Sequence, residues 1–339
     1  MYLFLCSLYR SKSCLLDIMH LFSHYEWNDF YGSSSDYTQY IKENKNITIN
    51  TDKNYYISNC LFIDLNEMGA VRITAETNLK LLIDTSSFYK CGHKNGPGGS
   101  LYVKSTNCEC IQDRICSFGS KASYYGAYCY VFFSNMSPFR NYILDSIVSS
   151  SIYDVHDNEA YSNIYMLYGE LNMRSINISD SKLRAVSLYS AKVSSNSNIT
   201  YSTFSNNTSK DRGNYEAYHI GLSPPIEFKI LFCNYFKNKC INLIRVEFSY
   251  LNIYNCSFYL NGIMQYYFYG FNQQIQVIRC YFDKTELTTY NARIIEKVSS
   301  MYPENQHISI ESCLVEPKAK EVQYSEPIQI CRYFHIRRR

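Results

Sequence analysis

The sequence predicts an all-β fold, a right-handed parallel β-helix (a solenoid) of about ten coils with a short helical N-terminal cap. Three observations predict it. A six-residue figure recurs along most of the 339 residues: an apolar residue, two fillers, a small Cys or Ser, one filler, and a large apolar residue. Each copy is followed by a second short apolar stretch, often opened by a small residue. The runs are strand-length and rich in β-branched and aromatic residues, which favours strands over helices.

The small positions, taken in order, are Cys60, Ser86, Cys116, Ser146, Ser181, Ser202, Cys233, Cys256, Cys280 and Cys313. They are separated by 26, 30, 30, 35, 21, 31, 23, 24 and 33 residues, a quasi-regular period. Apolar residues such as Ile57, Ile83, Ile143, Ile178, Ile199, Ile230, Ile253, Val277 and Ile310 open the figure. In the third copy Asp113 takes that place. Seven copies close on an aromatic ring: Phe62, Phe88, Phe118, Phe204, Tyr235, Phe258 and Phe282. The second element reads Gly69-Ala-Val71-Arg-Ile73, then Gly99-Ser-Leu101-Tyr-Val103, then Gly126-Ala-Tyr128-Cys-Tyr130-Val131, with a looser Asn163-Ile164-Tyr-Met166. Two strands per period is a repeat-architecture signal. Equivalent strands then stack at about 4.8 Å, small residue over small residue and ring over ring. A buried thiol serves such a position as a small hydrophobe. Parallel crossovers are right-handed in nearly all cases, which sets the expected hand.

At these residues the chain resembles the right-handed β-helix surface proteins related to the polymorphic outer-membrane proteins of chlamydiae, a group expanded in trichomonads. Those repeats pair a Phe-x-x-Asn turn with a Gly-Gly-Ala-Ile strand. Phe204/Asn207 and Phe258/Asn261 match the first motif, and Tyr235/Asn238 is a near match. Gly98-Gly99-Ser100-Leu101 is nearest the second, with Gly69-Ala70-Val71 a half match. The resemblance covers residues 46–315 and implies an adhesin-like surface role. No C-terminal autotransporter barrel is expected from residues 316–339.

The chain is read in three parts: a cap or leader over residues 1–45, the β-helix over 46–315, and a tail or partial last coil over 316–339. Residues 15–22 read as a short helix and 36–44 as another, covering the open end that every solenoid must protect. Residues 153–162 form a polar excursion, with further loops at 93–97, 205–215 and 302–306. Ile328, Cys331 and Tyr333 repeat the figure once more beyond Val315. The apolar stretch at the N-terminus lacks a preceding positive residue, so it is a poor secretory signal. No run approaches 18 apolar residues, so no transmembrane helix is expected.

A net charge of +3 argues against a dedicated nucleic-acid binder. Tyrosine is abundant at 35 residues, which permits a binding surface. Of the 14 cysteines, those on the repeat position are expected to be mostly free buried thiols. Stacked positions seldom offer disulfide geometry. Cys108, Cys110 and Cys129 cluster beside Cys116 without the Cys-x2-Cys pairs of a zinc knuckle, so a local disulfide is expected there rather than metal.

Chemistry is sparse. Asn50-Thr51-Asp52 matches one polygalacturonase motif, but the Asp-Asp, Gly-His-Gly and Arg-x-Lys partners are missing. Asp154, His156, Asp157 and Glu159 form the one acid/His cluster, inside the polar excursion where solvated charge is the ordinary outcome. His93 and His219 show no evident partner. Gly96-Pro97-Gly98-Gly99 is a turn, since no Gly-Lys-Ser/Thr follows. No catalytic, cofactor or metal residues are therefore assigned. The expected function is a non-enzymatic, adhesin-like surface or secreted interaction protein. Its expected partner is a protein or glycan on another surface, and end-to-end self-association is a further expectation. The competing readings are a carbohydrate-active β-helix enzyme using the Asp154 to Glu159 segment, and a fragment of a larger surface protein.

Overall fold

The structure, a computed structural model, describes residues 26–33, 36–134, 139–153, 162–190, 197–209, 215–219, 227–247, 250–271 and 274–300. The chain divides into two compact units, Met1–Asp36 and Tyr37–Arg339. In the first, one helix turn is described, Trp27–Tyr31. Its entry is capped by Asp29, whose Oδ2 accepts the Glu26 N–H at 2.6 Å. The helix expected at 15–22 lies outside the described residues, as do the repeat copies at Cys313 and Cys331.

The second unit is a parallel β-solenoid. A 14-residue strand, Val71–Asp84, shows how one coil is built. Its first part pairs in parallel with Ile47–Ile49 below and its last part with Asn54–Ser58. The register shifts at a bulge between Ala75 and Asn78, so the strand bends from one wall to the next. A third wall is a separate sheet of ten short strands, of which Leu61–Ile63, Ser87–Tyr89 and Cys116–Phe118 are the first three along the chain. Inside the three walls lies one continuous apolar core from Ile47 to Cys280.

Among the described residues, two left-handed corners bracket eight of the ten short strands. The first is Lys42, Asn59, Thr85, Arg114, Asp145, Ser175, Tyr201, Phe232, Asn255 or Arg279, with φ between 43° and 56°. The second is Asp64, Lys90, Gly119, Ser150, Asp180, Asn206, Lys237 or Leu260. Non-glycine residues pay about 1–3 kcal/mol for this conformation. Backbone bonds continue through the corners and offset it: the Thr85 N–H donates to Asp113 O at 3.0 Å, and the Phe232 N–H to Tyr254 O at 3.1 Å.

Residues 36–44 are not helical. Tyr37–Ile41 is a strand in parallel register with Asn54–Ser58. Tyr37, Tyr40 and Ile41 have helical spacing, but Tyr40 lies in register with Ile57 and packs on the solenoid core. Lys42 then turns the first corner, and the Glu43 N–H reaches Cys60 Sγ at 3.3 Å.

Glycine is required where the walls come closest. Gly98 has φ +74°, and a Cβ on Gly99 would stand 1.8 Å from Lys121 O. The Gly98-Gly99-Ser100-Leu101 sequence is thus a close-approach device at the entry to Leu101–Asp113.

Candidate functional site

The residue after each first corner occupies one column. Register places Cys60 over Ser86, Ser202 over Cys233, Cys233 over Cys256, and Cys256 over Cys280. Ser146 stands in the same column between Ile115 and Ile176. Two expected positions move. Cys116 pairs with Ser87 and Ile147, one residue off the column, which Ile115 occupies. The expected register would point the Asp113 carboxylate into the apolar interior. Instead Gln112 lies in register with Ile83 and faces inward, its Oε1 accepting from Tyr128 Oη at 2.6 Å. Ser181 is also off the column. Ile178, expected to open that copy, closes it beside Val148, with Met173 and Ile176 ahead of it.

The small residue is selected by hydrogen bonding as well as size. After the last described corner of this kind the Cys280 N–H meets a backbone carbonyl, Glu296 O at 3.2 Å, but after several others none is within reach of the next N–H. There a side chain from the neighbouring coil accepts it: Cys60 N–H to Ser86 Oγ at 3.1 Å, Ile115 N–H to Ser146 Oγ at 3.0 Å, Cys233 N–H to Cys256 Sγ at 3.3 Å. The accepting group donates to the carbonyl two residues before it, as Ser146 does to Leu144 at 2.6 Å and Cys256 to Tyr254 at 3.2 Å.

The second corner is served in the same way by asparagine. Asn238 Oδ1 accepts the Asn207 N–H at 3.1 Å, and Asn261 Oδ1 accepts the Asn238 N–H at 3.0 Å. Each amide donates onward, Asn238 Nδ2 to Phe204 O and Asn261 Nδ2 to Tyr235 O, both at 2.8 Å. Ser181 heads this second column, its N–H bound to Asn207 Oδ1 at 3.2 Å. The Phe-x-x-Asn motif therefore has an interior role. Its rings stack too: Phe204 on Tyr235 at 4.8 Å, Tyr235 on Phe258 and Phe258 on Phe282 at 5.0 Å. Phe62 and Phe88 make a separate stack at 5.0 Å. Phe118 does not join, because Ser117 holds the inward position, and Tyr128 meets Phe88 edge-on at 6.0 Å instead.

Cys108, Cys110 and Cys129 are free and buried, contrary to the expected local disulfide, while Cys116 is disulfide-bonded. Burial pushes the Cys91 and Cys110 thiols up to about 12, so they remain protonated and inert. Among the described residues no three His, Cys, Asp or Glu side chains gather as metal ligands. Asp52 Oδ1 accepts the Glu76 N–H at 2.9 Å, a side-chain-to-backbone contact between neighbouring coils. Asp154, His156, Asp157 and Glu159 lie outside the described residues. His219 ends a strand, Tyr215–His219.

On the outer face of the first wall, Arg72, Tyr102, Tyr130 and Tyr165 stand in register on successive coils. The Arg72 guanidinium sits 4.1 Å over the Tyr102 ring. Tyr102 and Tyr130 are 5.5 Å apart and 7° from parallel, and Tyr130 and Tyr165 are 5.2 Å apart and 3° from parallel. His93 closes the Arg72 end, its Nδ1 3.0 Å from Pro97 O and 3.2 Å from Arg72 Nη1. Burial first, and then Arg72, push the His93 pKa down, so the ring is neutral near pH 7. Further along the same row Arg245 lies 5.3 Å over Tyr269, which stacks on Tyr290 at 5.0 Å.

The sequence reading did not single out this row. Its signal was available: Leu101-Tyr-Val103, Cys129-Tyr-Val131 and Ile164-Tyr-Met166 align Tyr on Tyr once the second elements are superposed. No protein-family model, curated protein or solved structure matches the chain.

Proposed function

We propose that the chain is a non-enzymatic interaction protein, adhesin-like in action, which engages a protein or glycan on another surface through its outer Arg–Tyr row. The observation that carries this reading is the in-register stack of Arg72, Tyr102 and Tyr130, all partly exposed, seated against the buried ring of Tyr165. Tyr and Arg are the residues that most often anchor interfaces. Here each ring is held by its neighbour before any partner arrives, so little side-chain entropy is lost on binding. The wall beneath is a rigid parallel sheet, which fixes the spacing between contacts. The resemblance to chlamydial polymorphic outer-membrane proteins supports the same reading more weakly, since its Phe-x-x-Asn motif is accounted for by interior packing.

The test uses the full chain on an array of purified extracellular-matrix proteins and glycans. The wild type is expected to bind at least one component. The double variant Tyr102→Ser, Tyr130→Ser is expected to bind it at least tenfold more weakly, with an unchanged far-UV spectrum. Equal binding by the variant, or no binding by the wild type, contradicts the proposal.

A further inference from the structure

The corner before the third short strand buries more negative charge than its neighbours balance. Asp84 and Asp113 stand in register on adjacent coils, and both side chains are 0% exposed. One guanidinium serves the two: Arg114 Nη2 donates to Asp84 Oδ1 at 2.6 Å and Nε to Asp113 Oδ2 at 3.2 Å. Asp113 Oδ1 has no hydrogen-bond partner. Beyond it the next corner carries Asp145, whose own cation, Arg174, is 3.6 Å away. Leu144, the register partner of Asp113 on that coil, brings no charge. On the far side of Asp84, Tyr56 Oη donates to its Oδ2 at 3.5 Å.

We infer that this corner is a proton-binding site, with Asp113 held as the neutral acid in the folded solenoid under mildly acid conditions. An ionised carboxylate buried with one oxygen unpaired is costly. Here it also faces Asp84, with which it shares Arg114, and Asp145, which pairs with Arg174. Taking up a proton removes that charge. The chemistry agrees in direction: burial first, then Asp145 and Asp84, raise the Asp113 pKa to about 7 against the opposing pull of Arg114.

The sign follows from linkage. Asp113 binds its proton more tightly when folded than when unfolded, where 3.8 is the ordinary value. Its stabilising contribution is therefore complete below pH 3.8, falls as pH rises, and is gone above about 7. The coils joined at Asp84 and Asp113 hold most firmly under acid conditions and loosen toward alkaline ones.

Asp113→Asn keeps the shape of the neutral acid and cannot ionise. The melting temperature of the full-length variant minus that of the wild type is expected to increase from pH 5 to about pH 7 and to level off above it. A difference that is flat or shrinking over that rise overturns the inference. Infrared spectra of the wild type with isotope-labelled aspartate carboxyls give a reading that needs no variant. A protonated carboxyl band at pH 6 that disappears by pH 8.5 is expected, and its absence at pH 6 contradicts the assignment. Asp84→Asn removes one of the facing charges, so loss of that band is expected at lower pH. An unmoved midpoint would show that Asp84 and Asp113 do not share a site.

Discussion

Cys256 does two jobs with one sulfur atom, accepting the Cys233 N–H at 3.3 Å and donating to Tyr254 O at 3.2 Å. Serine performs both at Ser146 and Ser202, which is why the two residue types alternate freely in one column. Cys256→Ser is accordingly expected to stay within about 1 kcal/mol of wild type in urea unfolding. Cys256→Ala leaves a buried N–H unpaired and is expected to lose about 1–3 kcal/mol. Equal losses would mean that the column is held by packing alone. From the sequence the small residue was legible as a shape requirement, because a turning wall needs one. The bonding requirement was not, since it depends on which N–H the left-handed corner turns inward. Ile115 and Ile176 show the cost of reading by size: both sit in the column and neither is small.

Register is the property of the short strands that a one-residue slip would invert, since alternate side chains face opposite sides. Phe88 is fully buried and in register with Ser117, while Phe118 is only half-buried beside Tyr89. Phe88→Ala is expected to destabilise by about 3–5 kcal/mol. Phe118→Ala is expected to cost less than half as much, and the reverse order in denaturant titrations would restore the register read from sequence. The apolar residues opening and closing each short-strand copy were legible wherever Ile, Cys or Ser, and an aromatic fell at the right spacing, as in Ile253, Cys256 and Phe258. They were obscured where polar interior groups intrude. Gln112 and Tyr128 satisfy each other inside the third copy, so its inward positions do not look apolar. Residues 36–44 misled differently: Tyr37, Tyr40 and Ile41 suit a helix face, and only the strand at Asn54–Ser58 makes the extended form the better one.

At the scale of the whole solenoid, each coil depends on its neighbours through the same few contacts, so stability is close to a sum of coil and interface terms. That additivity made the architecture readable from a degenerate repeat. The outer Arg–Tyr row was harder to see, because its members belong to second elements spaced irregularly, at 72, 102, 130 and 165. Only the stacked register brings them together. The central claim, that equivalent corners lie directly above one another, is tested most directly by dipolar electron resonance. Spin-labelled unnatural amino acids at Lys90 and, in turn, Asn206, Lys237 and Leu260 avoid the buried thiols. These second-corner residues lie four, five and six coils from Lys90. At about 4.8 Å per coil the separations are expected near ~19, ~24 and ~29 Å, rising in equal steps. Separations that do not rise in such steps would contradict the stacked solenoid.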